Sequence, residues 1–125
     1  MSDATTHLLL PYILAAQAQK HVTHNEALRI LDGLVQLSVI DRDLTAPPGS
    51  PADGDRYIIA SGATGDWAGW DLNIALWTDG AWLRLPPCTG WRAWVEDEGL
   101  LLVWTGAAWE VVGEPSDISY AVFCL

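Results

Sequence analysis

The chain has 125 residues, half of them hydrophobic, enough for one compact domain that buries roughly two thirds of its unfolded surface. Sixteen acidic against six basic residues leave a net charge of −10, and a surface so acidic repels nucleic-acid phosphates and anionic membranes alike. Two cysteines, Cys88 and Cys124, are too few and too far apart for a disulfide scaffold and read as buried thiols.

The N-terminal stretch MSDATTHLLLPYILAAQAQ has no basic leader, and Pro11 and the glutamines break its apolar run. It reads as neither a signal peptide nor a membrane span, so the chain is expected to be made in the cytoplasm. Pro11 suits the opening of a short helix over 12–20, helped by Ala15, Ala16 and Ala18. Leu28, Leu31 and Val35 then recur at helical spacing, with Ala27 and Leu34 widening the face. Thr23 followed by Glu26 has the pattern of a capping box, which places a helix at about 24–32, extending through Gly33 to 37 if the pattern continues. Val35–Asp41, VQLSVID, alternates well enough to be a strand instead.

Residues 45–54, TAPPGSPADG, form a Pro/Gly connector between a helical segment at 1–40 and a Trp-rich module at 55–125, within one domain over 1–125. The module echoes itself. Trp67 and Trp70 precede Trp77 and Trp82; Trp91 and Trp94 precede Trp104 and Trp109. LWTDGAWLRL and VWTGAAWEVV each read as two short strands around a tight turn, with the tryptophans facing one another across the hairpin. The fold class that results is α+β: a short N-terminal helix or helices, then a Trp-rich antiparallel β module.

The densest polar stretch is QAQKHVTHNEAL at 17–28. His21 and His24 share a helical face, but a metal needs three or four ligands, and the HExxH order is absent, so neither metal nor cofactor is expected. The aspartates sit in turn-like strings such as ADGD and TDG, where they cap backbone amides. With no GxSxG motif, phosphate loop or Cys–His signature, the residues point away from an enzyme. Eight tryptophans suit a small core, yet exposed rings also stack on sugars, and Trp67 and Trp70 in ATGDWAGWD are the candidates for that. Gln17, Gln19, Lys20, His21, His24 and Asn25 remain as a polar surface beside an apolar helix face. A subunit contact would have this character.

The strings LPYILAAQAQKHVTHNEALRILDGLVQL, PPGSPADGDRYIIASGATGDWAGW and IALWTDGAWLRLPPCTGWRAWVEDEGLLLVWTGAAW span about residues 8–110. Together they resemble a bacterial and phage domain family of unknown function, found near the N-termini of spike and fibre proteins of gene transfer agents and related tailed phages. The resemblance implies a homo-oligomeric virion component, a trimer or pentamer, that anchors a head spike or tail fibre to capsid or portal-tail proteins of a particle assembled in the bacterial cytoplasm. Some relatives continue into a receptor-binding part. Here a short apolar tail, ISYAVFCL, follows, which suggests a base or connector. The alternative is a carbohydrate-binding module for host surface polysaccharide.

Overall fold

The short apolar runs of the Trp-rich region become two β-sheets in the computed structural model, which describes residues 4–12 and 20–113 and, within the helix, side chains from His24 onward. Helix α1 spans Lys20–Leu34. Strands β1 (Ser38–Val39) and β2 (Arg56–Ile58) follow, then a 3-10 turn at Gly65–Trp67. The remaining strands are β3 (Ile74–Thr78), β4 (Ala81–Leu85), β5 (Arg92–Val95), β6 (Leu100–Trp104) and β7 (Trp109–Val111). Among the described residues the protein is mostly β with one helix.

The helix differs from its expected bounds at both ends. Residues 20–22 already have helical backbone, so Thr23 lies inside α1, and the Thr23–Glu26 pair is not the capping box that opens it. The helix stops at Leu34, short of 37, because Gln36 takes a left-handed φ of 56° that helical backbone does not accommodate. The chain then enters β1, within the stretch whose alternation permitted a strand. Most of the short helix expected over 12–20 falls outside the described residues.

One sheet has the order β1-β5-β6-β7, the other β2-β3-β4. All pairings are antiparallel except β1 with β5, which run parallel. The Ile40 amide donates to the Arg56 carbonyl at 2.8 Å and the Ile58 amide to the Asp41 carbonyl at 3.1 Å, so β1 and its continuation tie the sheets together. Both Trp hairpins form as the spacing predicts. Trp77 pairs with Trp82 and Trp104 with Trp109, with ring centroids 5.1 and 5.3 Å apart. Asp79 and Gly80, both at positive φ (54° and 77°), make the two-residue turn that fixes the first register.

Each side of β2–β3–β4 has its own core. On one side Ile58, Ile74, Leu76 and Leu85 meet Leu37, Val39, Ala93, Val95 and Leu102 from around β1, β5 and β6. On the other, Tyr57, Ile59 and Ala75 pack with Trp67, and Trp70 and Trp82 sit around them. Helix α1 closes on the first core at Gly33: a Cβ there would lie 2.8 Å from Leu76 Cδ2. A glycine at this point lets the helix approach β3.

Candidate functional site

Asp32, near the C-terminal end of α1, is only 4% exposed, and its carboxylate gathers the N-terminal segment. It accepts from Thr5 Oγ1 at 2.7 Å, from the His7 amide at 2.9 Å and from the Leu8 amide. Burial pushes the Asp32 carboxyl up, but the amides of His7 and Leu8 and the Thr5 hydroxyl outweigh it and hold the group below its ordinary value. Thr5 closes the turn on itself, with its amide donating to the Leu10 carbonyl and its hydroxyl accepting from the Leu10 amide. Two further bonds run to the connector: Thr6 Oγ1 to Asp53 at 2.8 Å and His7 Nε2 to the Gly54 carbonyl at 2.8 Å. Gly54 has a φ of 93°, and a Cβ there would lie 2.7 Å from Thr6 Cγ2, so the segment seats where only glycine fits. Residues 4–12 therefore form a latch across α1 and the connector.

Beside Asp32, the buried Arg56 donates from Nη1 to the Gly33 carbonyl at 3.1 Å, placing a cation against the last turn of α1. Burial lowers the proton affinity of Arg56, while Glu96 and Asp32 oppose that shift. The guanidinium stays charged.

The latch also walls a groove. Two adjoining hollows, of about 460 and 370 Å³, share Arg29, Thr78 and Asp79. The first lies between Ala4 and Tyr12 of the latch, Asp53, and the β3–β4 turn; the second lies between Glu26 and Ile30 of α1 and Trp82 and Leu83 of β4. The Arg29 guanidinium sits 4.9 Å over the Tyr12 ring. Trp82 lines the groove, and edge-on contacts hold it to Trp67 (5.2 Å), Trp77 (5.1 Å) and Tyr57 (6.0 Å). Aromatic side chains at both ends, with carboxylates of Glu26, Asp53 and Asp79 between, suit a hydroxyl-rich ligand with apolar faces.

The residues singled out in the sequence scatter. Gln17 and Gln19 lie outside the described residues, as do the side chains of Lys20 and His21, although the backbone of these two is helical. His24 is exposed. Asn25 is 8% exposed and already engaged within the chain, so it is not part of an open polar surface. Trp67, expected to be exposed, is fully buried and offers no face to a sugar; Trp70 is half-buried against the same core. Cys88, expected to be buried, is an exposed free thiol, and Cys124 lies outside the described residues. Among the described residues one set of potential metal ligands converges. Carboxylate oxygens of Asp41, Asp43 and Asp97 lie within 4.8 Å of one another. Desolvation, then Asp41, Glu98 and Asp43, raise the proton affinity of Asp97. Three largely exposed carboxylates fall short of the six to eight oxygens that calcium takes. No helix among the described residues is long and apolar enough to cross a membrane.

A latched helix on two Trp-cornered sheets, with a groove between helix and hairpin, defines the class: a small β-rich domain with one helix and an aromatic-lined cleft. The chain belongs to the family described as Protein of unknown function (DUF2793), whose model matches residues 24–110. That match includes Asp32, Arg56 and both Trp hairpins and excludes the latch. No curated protein matches the chain.

Proposed function

We propose that the chain is a non-enzymatic structural component of a phage-like particle, a phage or gene transfer agent, acting as a homo-oligomeric base or connector that anchors a head spike or tail fibre. The sequence resemblance supports the particle. The observation that carries the assembly role is the apolar surface left uncovered: Ile30, Leu31 and Val35 of α1 and its end, with Trp94 and Val112 of the sheet, are all more than a third exposed. Large apolar side chains left open to solvent are candidates for an interaction surface. The polar side chains ahead of it, Lys20, His21 and His24, would set orientation. Mass spectrometry and imaging of purified particles are expected to find the chain at a spike or fibre base, and the double variant His21→Ala, His24→Ala to enter particles less while the β module stays folded. A stable monomer that never associates with particles would overturn the reading.

A second reading, recognition of host polysaccharide, is favoured by the groove and its Trp82–Tyr12 lining. Titration with capsular polysaccharide is expected to change tryptophan fluorescence. Trp82→Ala should weaken that binding roughly tenfold, the loss of about 1–1.5 kcal/mol that one stacked ring contributes. Unchanged affinity in a folded Trp82→Ala protein would remove the groove from consideration.

A further inference from the structure

We propose that two copies of this chain pair face to face through the outer surface of β5, β6 and the end of β7, about a two-fold axis running along β6. The inference rests on the homo-oligomeric reading above and specifies its contact. Ala93, Val95 and Leu102 point into the core, so strand alternation turns Arg92, Trp94, Leu101 and Val103 outward. Register then lays them out as rows. Arg92 lies beside Val103, and Val103 beside Glu110. Trp94 lies beside Leu101, whose carbonyl accepts from the Val112 amide at 2.8 Å. One row is thus apolar from end to end, and the other carries a cation at one end and an anion at the other, two strand spacings or roughly 10 Å apart.

Such a face is complementary to itself. Rotation by half a turn about β6 exchanges β5 with β7. It brings Arg92 opposite Glu110 of the second copy, Trp94 opposite Val112, and Leu101 and Val103 against their own counterparts. Beside Trp94 is a hollow of about 390 Å³ lined by Leu34, Gln36, Leu37, Arg92 and Leu101, over which Val112 of the second copy would lie.

Among the described residues the charges of this face are unspent within one copy. Of the five arginines, Arg29 lies over Tyr12, Arg42 pairs with Glu98, Arg56 bonds the Gly33 carbonyl and Arg84 bonds Asn73. Among the described residues, only the side chain of Arg92 has no such contact, and Glu110 has none either. An unpaired guanidinium beside a tryptophan 44% exposed is the pairing typical of interface anchors. The face is three strands wide, roughly 10 Å between its outer strands, which puts the contact in the small, weak class. It would hold through multivalency, when many copies sit on one particle. A two-fold contact gives pairs or even-numbered assemblies in place of three or five copies in a ring.

Sedimentation equilibrium of the full chain over a concentration series tests this. The wild type is expected to associate reversibly into dimers. Arg92→Glu and Glu110→Arg should each weaken association about tenfold, and the two together should restore it to within about threefold. The pair also separates a local contact from general repulsion. Arg92→Glu makes the chain more acidic and Glu110→Arg less so, so global charge would move association in opposite directions, whereas the contact predicts weakening by both. Trp94→Ala should weaken association further. Association that ignores these substitutions, or singles that the swap does not rescue, overturns this face and leaves the homo-oligomeric reading standing. A wild type that stays monomeric at every concentration overturns the pair; absence of the chain from purified particles overturns the particle role independently.

Discussion

Trp67→Ala is expected to cost about 3–5 kcal/mol of folding stability, read from urea unfolding followed by circular dichroism. The ring is fully buried at the end of the 3-10 turn, 5.7 Å from Tyr57 and 5.2 Å from Trp82. Trp82 in turn leans on Trp77, so the indole of Trp67 backs a run of edge-to-face contacts that reaches the β3–β4 hairpin. A domain of this size has a total stability of roughly 5–15 kcal/mol, so the alanine variant sits close to unfolding. Trp67→Phe supplies the second measurement. Trp67 Nε1 is buried without a hydrogen-bond acceptor among the described residues, and an unmet donor costs about 1–3 kcal/mol. Phenylalanine loses ring volume but also loses that orphan, so its cost should stay under about 2 kcal/mol. If alanine cost less than about 1 kcal/mol, the second core would not depend on this ring.

What the sequence discloses here is what short range determines. The β3–β4 hairpin follows from DG between alternating apolar residues, because two residues at positive φ leave only one register for Trp77 and Trp82. Trp67 is the opposite case. Its string ATGDWAGWD has the glycines of an exposed loop, and its burial depends on Tyr57 and Trp82, ten and fifteen residues away on other strands. The Thr23–Glu26 spacing fits a helix start and a helix interior equally, since residues three apart are neighbours in both. Strand β1 forms by pairing Ser38 and Val39 with Trp94 and Val95, a parallel contact that no local pattern announces. The groove was illegible for the same reason. Its lining comes from the latch, α1, the connector and the hairpin, and only the folded chain brings Tyr12 and Trp82 to one cleft.

Asp32→Ala is expected to lose about 3 kcal/mol at neutral pH and to free the latch. In LRILDGLV the residue looks like an exposed acid ahead of a helix-ending glycine, yet it holds residues 5, 7 and 8 across 24 to 27 positions of sequence. Truncation leaves a buried hydroxyl and two amides without their acceptor, each costing about 1–3 kcal/mol if water does not replace it. It also leaves Arg56 without one of its two nearby anions. Asp32→Asn keeps the shape but turns one acceptor into a donor facing donors, so roughly 2 kcal/mol should be lost. The pH dependence separates charge from shape. The folded state holds the Asp32 carboxyl below its ordinary value, so the charge contributes stability above an unfolded pKa of about 3.9, and that contribution is lost as pH falls through the lower folded value. Urea unfolding at pH 7, 5 and 3 should therefore show the gap between wild type and Asp32→Asn unchanged from pH 7 to 5 and narrowing toward pH 3. In parallel, limited proteolysis should cut within residues 4–12 faster in both variants than in the wild type, because the latch has lost its anchor while the β-sheets have not. A gap that stays constant down to pH 3 would mean that packing, rather than the carboxylate, fastens the latch to α1.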